Sequence, residues 1–171
     1  MVFAPPLNTD DLRRWRSCER RFWLARRQLQ RGVAAPAPAS TSEAAEPAPG
    51  TGLDVALRAS FPHADTVAAP QSPAQWLQAV RHTLNCLDSD AEPPEGWAVL
   101  GACLTSEDRA QVRIDVLTAG EHGLRLFKVR YATVGDDTDV DTVALWTHVA
   151  ARCGFAVQSV GLLLVDTDFV Y

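Results

Sequence analysis

The sequence predicts one α/β domain, α+β-like in that its strands cluster in the middle of the chain. Three observations predict it. Ala110–Tyr131 alternates apolar and polar residues about a short turn at Gly120–Gly123, which reads as a hairpin. Trp97–Leu104 before it is an apolar run of strand length, and Val157–Val165 near the end is another. Helical patterns occupy the N-terminal half and the stretch between the hairpin and the last strand. The predicted order is helix, linker, two helices, three strands, helix, strand.

Size and composition bound what such a domain can be. With 171 residues, 47% hydrophobic and 22% charged, the chain supports a single domain over 1–171 with a sizeable core. No apolar run reaches 18 residues and the start, MVFAPPLNTDDLRRW, lacks the basic-then-apolar pattern of a signal peptide. The expectation is a cytoplasmic protein with no membrane partner. Cys18, Cys86, Cys103 and Cys153 are scattered with no CxxC pair, so they read as reduced, mostly buried thiols. No phosphate-cradling glycine loop, Gly-x-Ser-x-Gly elbow or Ser/His/Asp spacing is found, which removes support for nucleotide hydrolysis and esterase chemistry.

Taken in order, Asn8-Thr9-Asp10-Asp11 offers capping side chains for a helix from Thr9 to Gln30. Trp15, Cys18, Phe22, Ala25 and Leu29 form its apolar stripe. Arg13, Arg14, Arg16, Arg20, Arg21, Arg27 and Arg31 fall opposite. Residues 1–31 hold eight arginines against Asp10, Asp11 and Glu19, a balance of +5 inside a chain of net charge −5. Arginines so little relieved by acids repel one another and point to an anionic partner: nucleic-acid phosphate, an acidic protein, or the chain's own acidic portion. Residues 32–52 are Ala/Pro-rich and read as a flexible linker.

Gly52–Ser60 reads as a short helix ending before Phe61. Ser72-Pro73 starts another, to about Leu87, with Trp76, Leu77, Val80, Leu84 and Leu87 as its buried stripe. His63 and His82 have no ligand or base at convincing spacing and read as surface or packing residues. In the hairpin, Val112, Ile114 and Val116 share one face of the first strand. Leu124, Leu126, Lys128 and Arg130 share one face of the second, and Arg125, Phe127, Val129 and Tyr131 the other. Asp115 is thereby brought near Lys128 and Arg130. Asp136, Asp137, Asp139 and Asp141 lead into a helix, Asp141–Cys153, whose N-terminus they are placed to cap. Its apolar contacts are Val143, Trp146, Val149 and Ala150.

An aspartate on one strand facing charged residues on the next resembles the PD-(D/E)XK nuclease superfamily, closest to the uncharacterised bacterial Cas4/RecB-like nuclease-domain proteins. Val112–Leu117 and Leu124–Thr133 match the two strand phrases. Cys18, Arg21, Trp23 and Leu24 match a Cys-x-x-Arg-x-Trp-Leu pattern of the family's first helix, and Gly52, Val55, Ala56, Leu57, Phe61 and Pro62 a looser one. The resemblance implies a restriction-endonuclease-like core: a three-strand antiparallel meander, a crossover helix and a further strand, with additional N-terminal helices. It also implies a degenerate site. Asp115 matches the first catalytic acid, but Lys128 stands at the glutamate position, Arg130 at the lysine position and Trp146 at a supporting glutamine. A cation at a carboxylate ligand's place repels Mg²⁺, and an arginine is always protonated and cannot act as a base.

The expectation is therefore a catalytically inactive module with no cofactor, in which Lys128 or Arg130 neutralises Asp115 or grips a phosphate. It would bind DNA or RNA through the arginine helix, or act as a protein-interaction module of a repair or defence complex. A third reading keeps a Mg²⁺-dependent nuclease with relocated ligands, using Asp115 with Glu107, Asp108 or an acid of the 136–141 cluster.

Overall fold

The strands β1 (His63–Thr66), β2 (Trp97–Thr105), β3 (Gln111–Gly120), β4 (Gly123–Arg130) and β5 (Val157–Leu164) form one mixed sheet whose spatial order is the order of sequence. This computed structural model describes residues 5–32, 52–88, 93–130 and 132–164. Apart from its end glycines, the Ala/Pro-rich linker lies outside the described residues, as do Tyr131 and residues 165–171. β2, β3 and β4 make an antiparallel meander, with β1 parallel to β2 on one side and β5 parallel to β4 on the other. A parallel neighbour cannot be reached by a tight turn. Helix α4 (Pro73–Leu87) accordingly joins β1 to β2, and α5 (Asp137–Arg152) joins β4 to β5. Three helices precede the sheet: α1 (Thr9–Ser17), α2 (Glu19–Gln30) and α3 (Gly52–Ser60).

The sheet carries apolar side chains on both faces, so it needs cover on both. The larger cluster joins Val99, Cys103, Leu104, Val112, Ile114, Leu117 and Leu126 to α4 and α5 through Ala79, Trp146, Val149 and Ala150. The smaller joins Ala98, Leu100 and Val116 to Leu57 and Phe61 at the end of α3, with Phe127, Val129 and Leu163.

The sequence pattern places Val112, Ile114 and Val116 on one face; the structure does not. Val112 and Ile114 belong to the larger cluster, whereas Val116 belongs to the smaller and Leu117 returns to the larger. The alternation therefore changes phase at Asp115. On β2 the opposite residue is Gly101, which has a left-handed backbone (φ +71°). A Cβ at Gly101 would lie 2.7 Å from Arg113 Nη2 and 2.9 Å from the Val67 carbonyl, so glycine admits both the conformation and the close approach.

α4 matches its predicted start, with Ser72 as N-cap and Pro73 in the first turn. Its predicted stripe holds at Trp76, Val80 and Leu87, which pack against the larger cluster, but not at Leu77 and Leu84. Ala79 and Thr83 are buried, while Leu77 is 66% and Leu84 40% exposed. The small residues let the helix sit close to β2. There the Thr83 hydroxyl donates to the Ala79 carbonyl (3.0 Å) and accepts from the Cys103 N–H (2.9 Å). β1 ends at Thr66, opposite Leu100, so the Cys103 amide has no strand partner on that side, and Thr83 supplies the acceptor. β1 itself, with the sequence HADT, lacks the β-branched alternation that would mark a strand, and sequence reasoning missed it.

The predicted helix Thr9–Gln30 is two helices. Cys18 is extended (φ −174°, ψ 115°) and serves as the C-cap of α1 and the N-cap of α2. The predicted apolar stripe holds only in its second half: Ala25 is buried and Phe22 and Leu29 are half-buried, but Trp15 and Cys18 are exposed. Of the four thiols only Cys103 is fully buried, not most of them. Among the described residues no helix is long and apolar enough to cross a membrane.

Thr83→Val keeps the shape of the side chain but removes the acceptor for a buried N–H. It should lower the unfolding free energy by about 1–3 kcal/mol in denaturant titrations, whereas Leu77→Ala on the exposed face should change it by less than about 0.5 kcal/mol.

Candidate functional site

The β3–β4 hairpin positions Asp115, Lys128 and Arg130, the charged residues singled out in the sequence. Val116 pairs with Phe127, and continuing that register sets Asp115 opposite Lys128. At Asp115 the side chain turns along the strand pair, and its Oδ2 accepts the Val129 N–H at 2.9 Å. The carboxylate thus caps a backbone donor of β4 at the place where the strand alternation changes phase. Lys128 and Arg130 are both half-buried on β4.

Arg130 is held by the start of α5. Its Nη1 donates to Asp139 Oδ2 (2.8 Å) and its Nη2 lies 2.9 Å from Asp136 Oδ2. These two aspartates are also the helix's capping box. Asp136 Oδ1 accepts from the N–H groups of Thr138 (2.8 Å) and Asp139 (3.1 Å), and Asp139 Oδ2 accepts the Asp136 N–H (2.9 Å). The capping role expected for the four aspartates is observed for Asp136 and Asp139, whereas Asp141 pairs with Arg16; α5 begins at Asp137, four residues earlier than predicted, because that box is complete. Asp139 is fully buried. Its hydrogen bond, and then the charges of both aspartates, raise the Arg130 guanidinium's pKa further. For Asp136, burial opposes ionisation, but the Asp139 and Thr138 amides and Arg130 outweigh it and lower its pKa. Trp146 is a core residue 1% exposed whose Nε1 has no hydrogen-bond partner among the described residues.

The N-terminal arginines divide into two sets. On α1, Arg16 makes a bidentate pair with Asp141 of α5 (2.6 Å to each oxygen), Arg13 meets Asp10 (3.3 Å) and Arg14 meets Asp11 (3.5 Å). Arg26 of α2 donates to the Pro5 and Pro6 carbonyls and to Asp11, tying both helices to the N-terminal segment. That segment is fixed in turn by Leu7, which bridges to Ala110 at the β2–β3 turn. These arginines serve the chain's own acids and carbonyls, the last of the three partners the sequence allowed. Arg20, Arg21 and Arg31 form no ion pair among the described residues, and Arg27 sits over the Trp23 ring at 5.0 Å. On α2, Arg20, Trp23, Leu24, Arg27 and Arg31 follow i, i+3, i+4, i+7, i+11 spacing, and all five are exposed. They make one stripe roughly 16 Å long.

Glu107 and Asp108, two of the acids named as relocated ligands, do not converge on Asp115. Ser106 Oγ donates to Asp108, whose other oxygen is 3.1 Å from His148 Nε2, and Glu107 pairs with Arg152 (3.6 Å). The Ser106 hydroxyl and then His148 lower the Asp108 carboxyl to about 2. This turn lies beyond the start of β3, roughly 13 Å along the strand from Asp115 at the usual rise. The carboxylate stands between serine and histidine here, so the histidine cannot take the serine's proton directly. Among the described residues, the one group of three possible metal ligands is Asp65, His82 and Cys86, away from this site. The sequence does not bring these three residues together, because Asp65 lies on β1, which carries no strand pattern. The His82–Cys86 spacing of one helical turn was the available signal.

Comparison with protein-family models, with curated proteins and with solved structures finds no match to this chain in any of the three.

Arg130→Met leaves Asp139 buried without its counter-ion and should cost about 3 kcal/mol. Hydrogen exchange should show the loss first in the opening turn of α5, where the capping box loses its anchor.

Proposed function

We propose that the protein is a catalytically inactive nuclease-like module of the PD-(D/E)XK type that binds nucleic acid through the arginine–tryptophan stripe of α2. The observation that carries the binding reading is that stripe: exposed arginines outside any ion pair among the described residues, with an exposed tryptophan among them. Arginine meets phosphate with a charged, forked donor, and an indole offers a stacking surface for an unpaired base.

A restriction-endonuclease-like core is supported by the meander β2–β4, the crossover helix α5 and the parallel strand β5, with Asp115 and Lys128 opposite each other on the central hairpin. Inactivity is supported by the charges there. Arg130 occupies the carboxylates of Asp136 and Asp139, and Lys128 stands where a metal-binding carboxylate would be needed. The exposed Trp15, Trp23 and Leu24 favour a second reading, a protein contact through the same helices.

Fluorescence polarisation with labelled single- and double-stranded DNA and RNA across a salt series tests the first reading. Neutralising three phosphates with Arg20, Arg27 and Arg31 should give a slope of log K on log salt of about −3 for duplex DNA, and Arg→Gln at any one of the three should reduce it by about 1. Arg16→Gln should leave the slope unchanged. A flat salt response at every ligand turns the reading to the protein partner. The nuclease ancestry has its own test. Lys128→Glu restores a carboxylate beside Asp115 and should create Mg²⁺- or Mn²⁺-dependent thermal stabilisation that the unaltered protein lacks.

A further inference from the structure

Asp65, His82 and Cys86 each present one ligand atom, and the three atoms lie within 4.8 Å of one another. Two are on α4, one turn apart, so a single helix face offers an imidazole and a thiol together. The third comes from β1, where Asp65 pairs with Val99 of β2. Both elements are fixed by packing: α4 through Ala79 and Thr83 against β2, and β1 through its parallel ladder. Asp65 and His82 are exposed and Cys86 is half-buried, so the cluster opens to solvent on one side.

We propose that Asp65, His82 and Cys86 form a transition-metal site, of the zinc class, that clips the edge strand β1 to α4. The donor set decides the metal. One nitrogen, one sulfur and one carboxylate oxygen suit a borderline ion such as Zn²⁺, whereas Mg²⁺ and Ca²⁺ require six or more oxygens. Tetrahedral zinc with bonds of about 2.0–2.3 Å separates its ligand atoms by roughly 3.5 Å. Side-chain rotation of about 1 Å closes the observed cluster onto an ion. Three protein ligands leave the fourth position to water, on the exposed side. β1 is four residues long and among the described residues is paired on one side only, so a bond from it to α4 holds the strand where its own ladder is shortest. The site is independent of the α2 stripe and of Asp115.

The test uses the full chain, reduced and stripped with chelator, titrated with Co²⁺ as a spectroscopic stand-in and with Zn²⁺ against a chromophoric chelator. One equivalent should bind with a thiolate-to-cobalt charge-transfer band and raise the melting temperature. Cys86→Ser should abolish the band. His82→Ala, at an exposed position where folding is not at stake, should weaken Zn²⁺ by at least the ~10–100-fold that follows loss of a mere supporting group, and Asp65→Asn should do the same. Absence of stoichiometric binding overturns the proposal. So does a band that survives Cys86→Ser and His82→Ala but is lost in Cys18→Ser, since the metal then sits at the exposed thiol of Cys18.

Discussion

The pair between Arg130 and Asp139 holds the second half of the molecule together. It joins the last residue of β4 to the first turn of α5 across a short connection, and the acids it uses already satisfy that helix's N-terminal amides. One guanidinium thereby sets where the crossover helix begins and how it leaves the sheet. The position of β5 follows, because α5 must return the chain parallel to β4. A buried carboxylate is costly without a partner, so strand, connection and helix start form as a unit. Two acids at the start of α5 thus share one protein cation.

A second constraint acts on the hairpin. Gly101 and Asp115 face each other where both strands change phase, and the aspartate turns its oxygen to the backbone of β4. An acid in the middle of a sheet is thus given a structural task. The N-terminal helices are docked onto this frame by charge more than by apolar contact, through Arg16 and Asp141 and through Arg26 at the Pro5 and Pro6 carbonyls. Arginines of similar sequence context consequently take different roles. Those on α1 are spent on neighbouring acids, and those on the outer face of α2 are left toward solvent.

Much of the architecture was legible in the sequence because the signals were local. Ser72-Pro73, the alternation of Leu124–Phe127 and the aspartates around 136–141 each specify an element by capping or periodicity alone. What escaped depends on long-range partners. The break at Cys18 has no glycine or proline to mark it, and just before it Arg16 pairs with Asp141 of α5. β1 is a strand only because β2 offers it a parallel edge. The exposure of Leu77 and Leu84 follows from α4 packing through Ala79 and Thr83, a choice made by the closeness of the sheet. The candidate site shows the same division. Asp115, Lys128 and Arg130 could be placed on adjacent strands from their spacing, but Arg130's partners lay on another element, and the Asp65–His82–Cys86 cluster required the fold itself.

The short length of β1 has a bearing on self-association. Beyond Leu100 the outer margin of β2 would present bare amides and carbonyls, the usual template for pairing with another chain. Here α4 lies along it: the Thr83 hydroxyl takes the Cys103 amide, and the Trp76 indole reaches the Thr105 hydroxyl at 2.8 Å. At Cys103 that margin is capped by a side chain rather than by a longer strand. A protein guarded in this way can keep a very short first strand with one bare amide fewer to template an intermolecular sheet on that side.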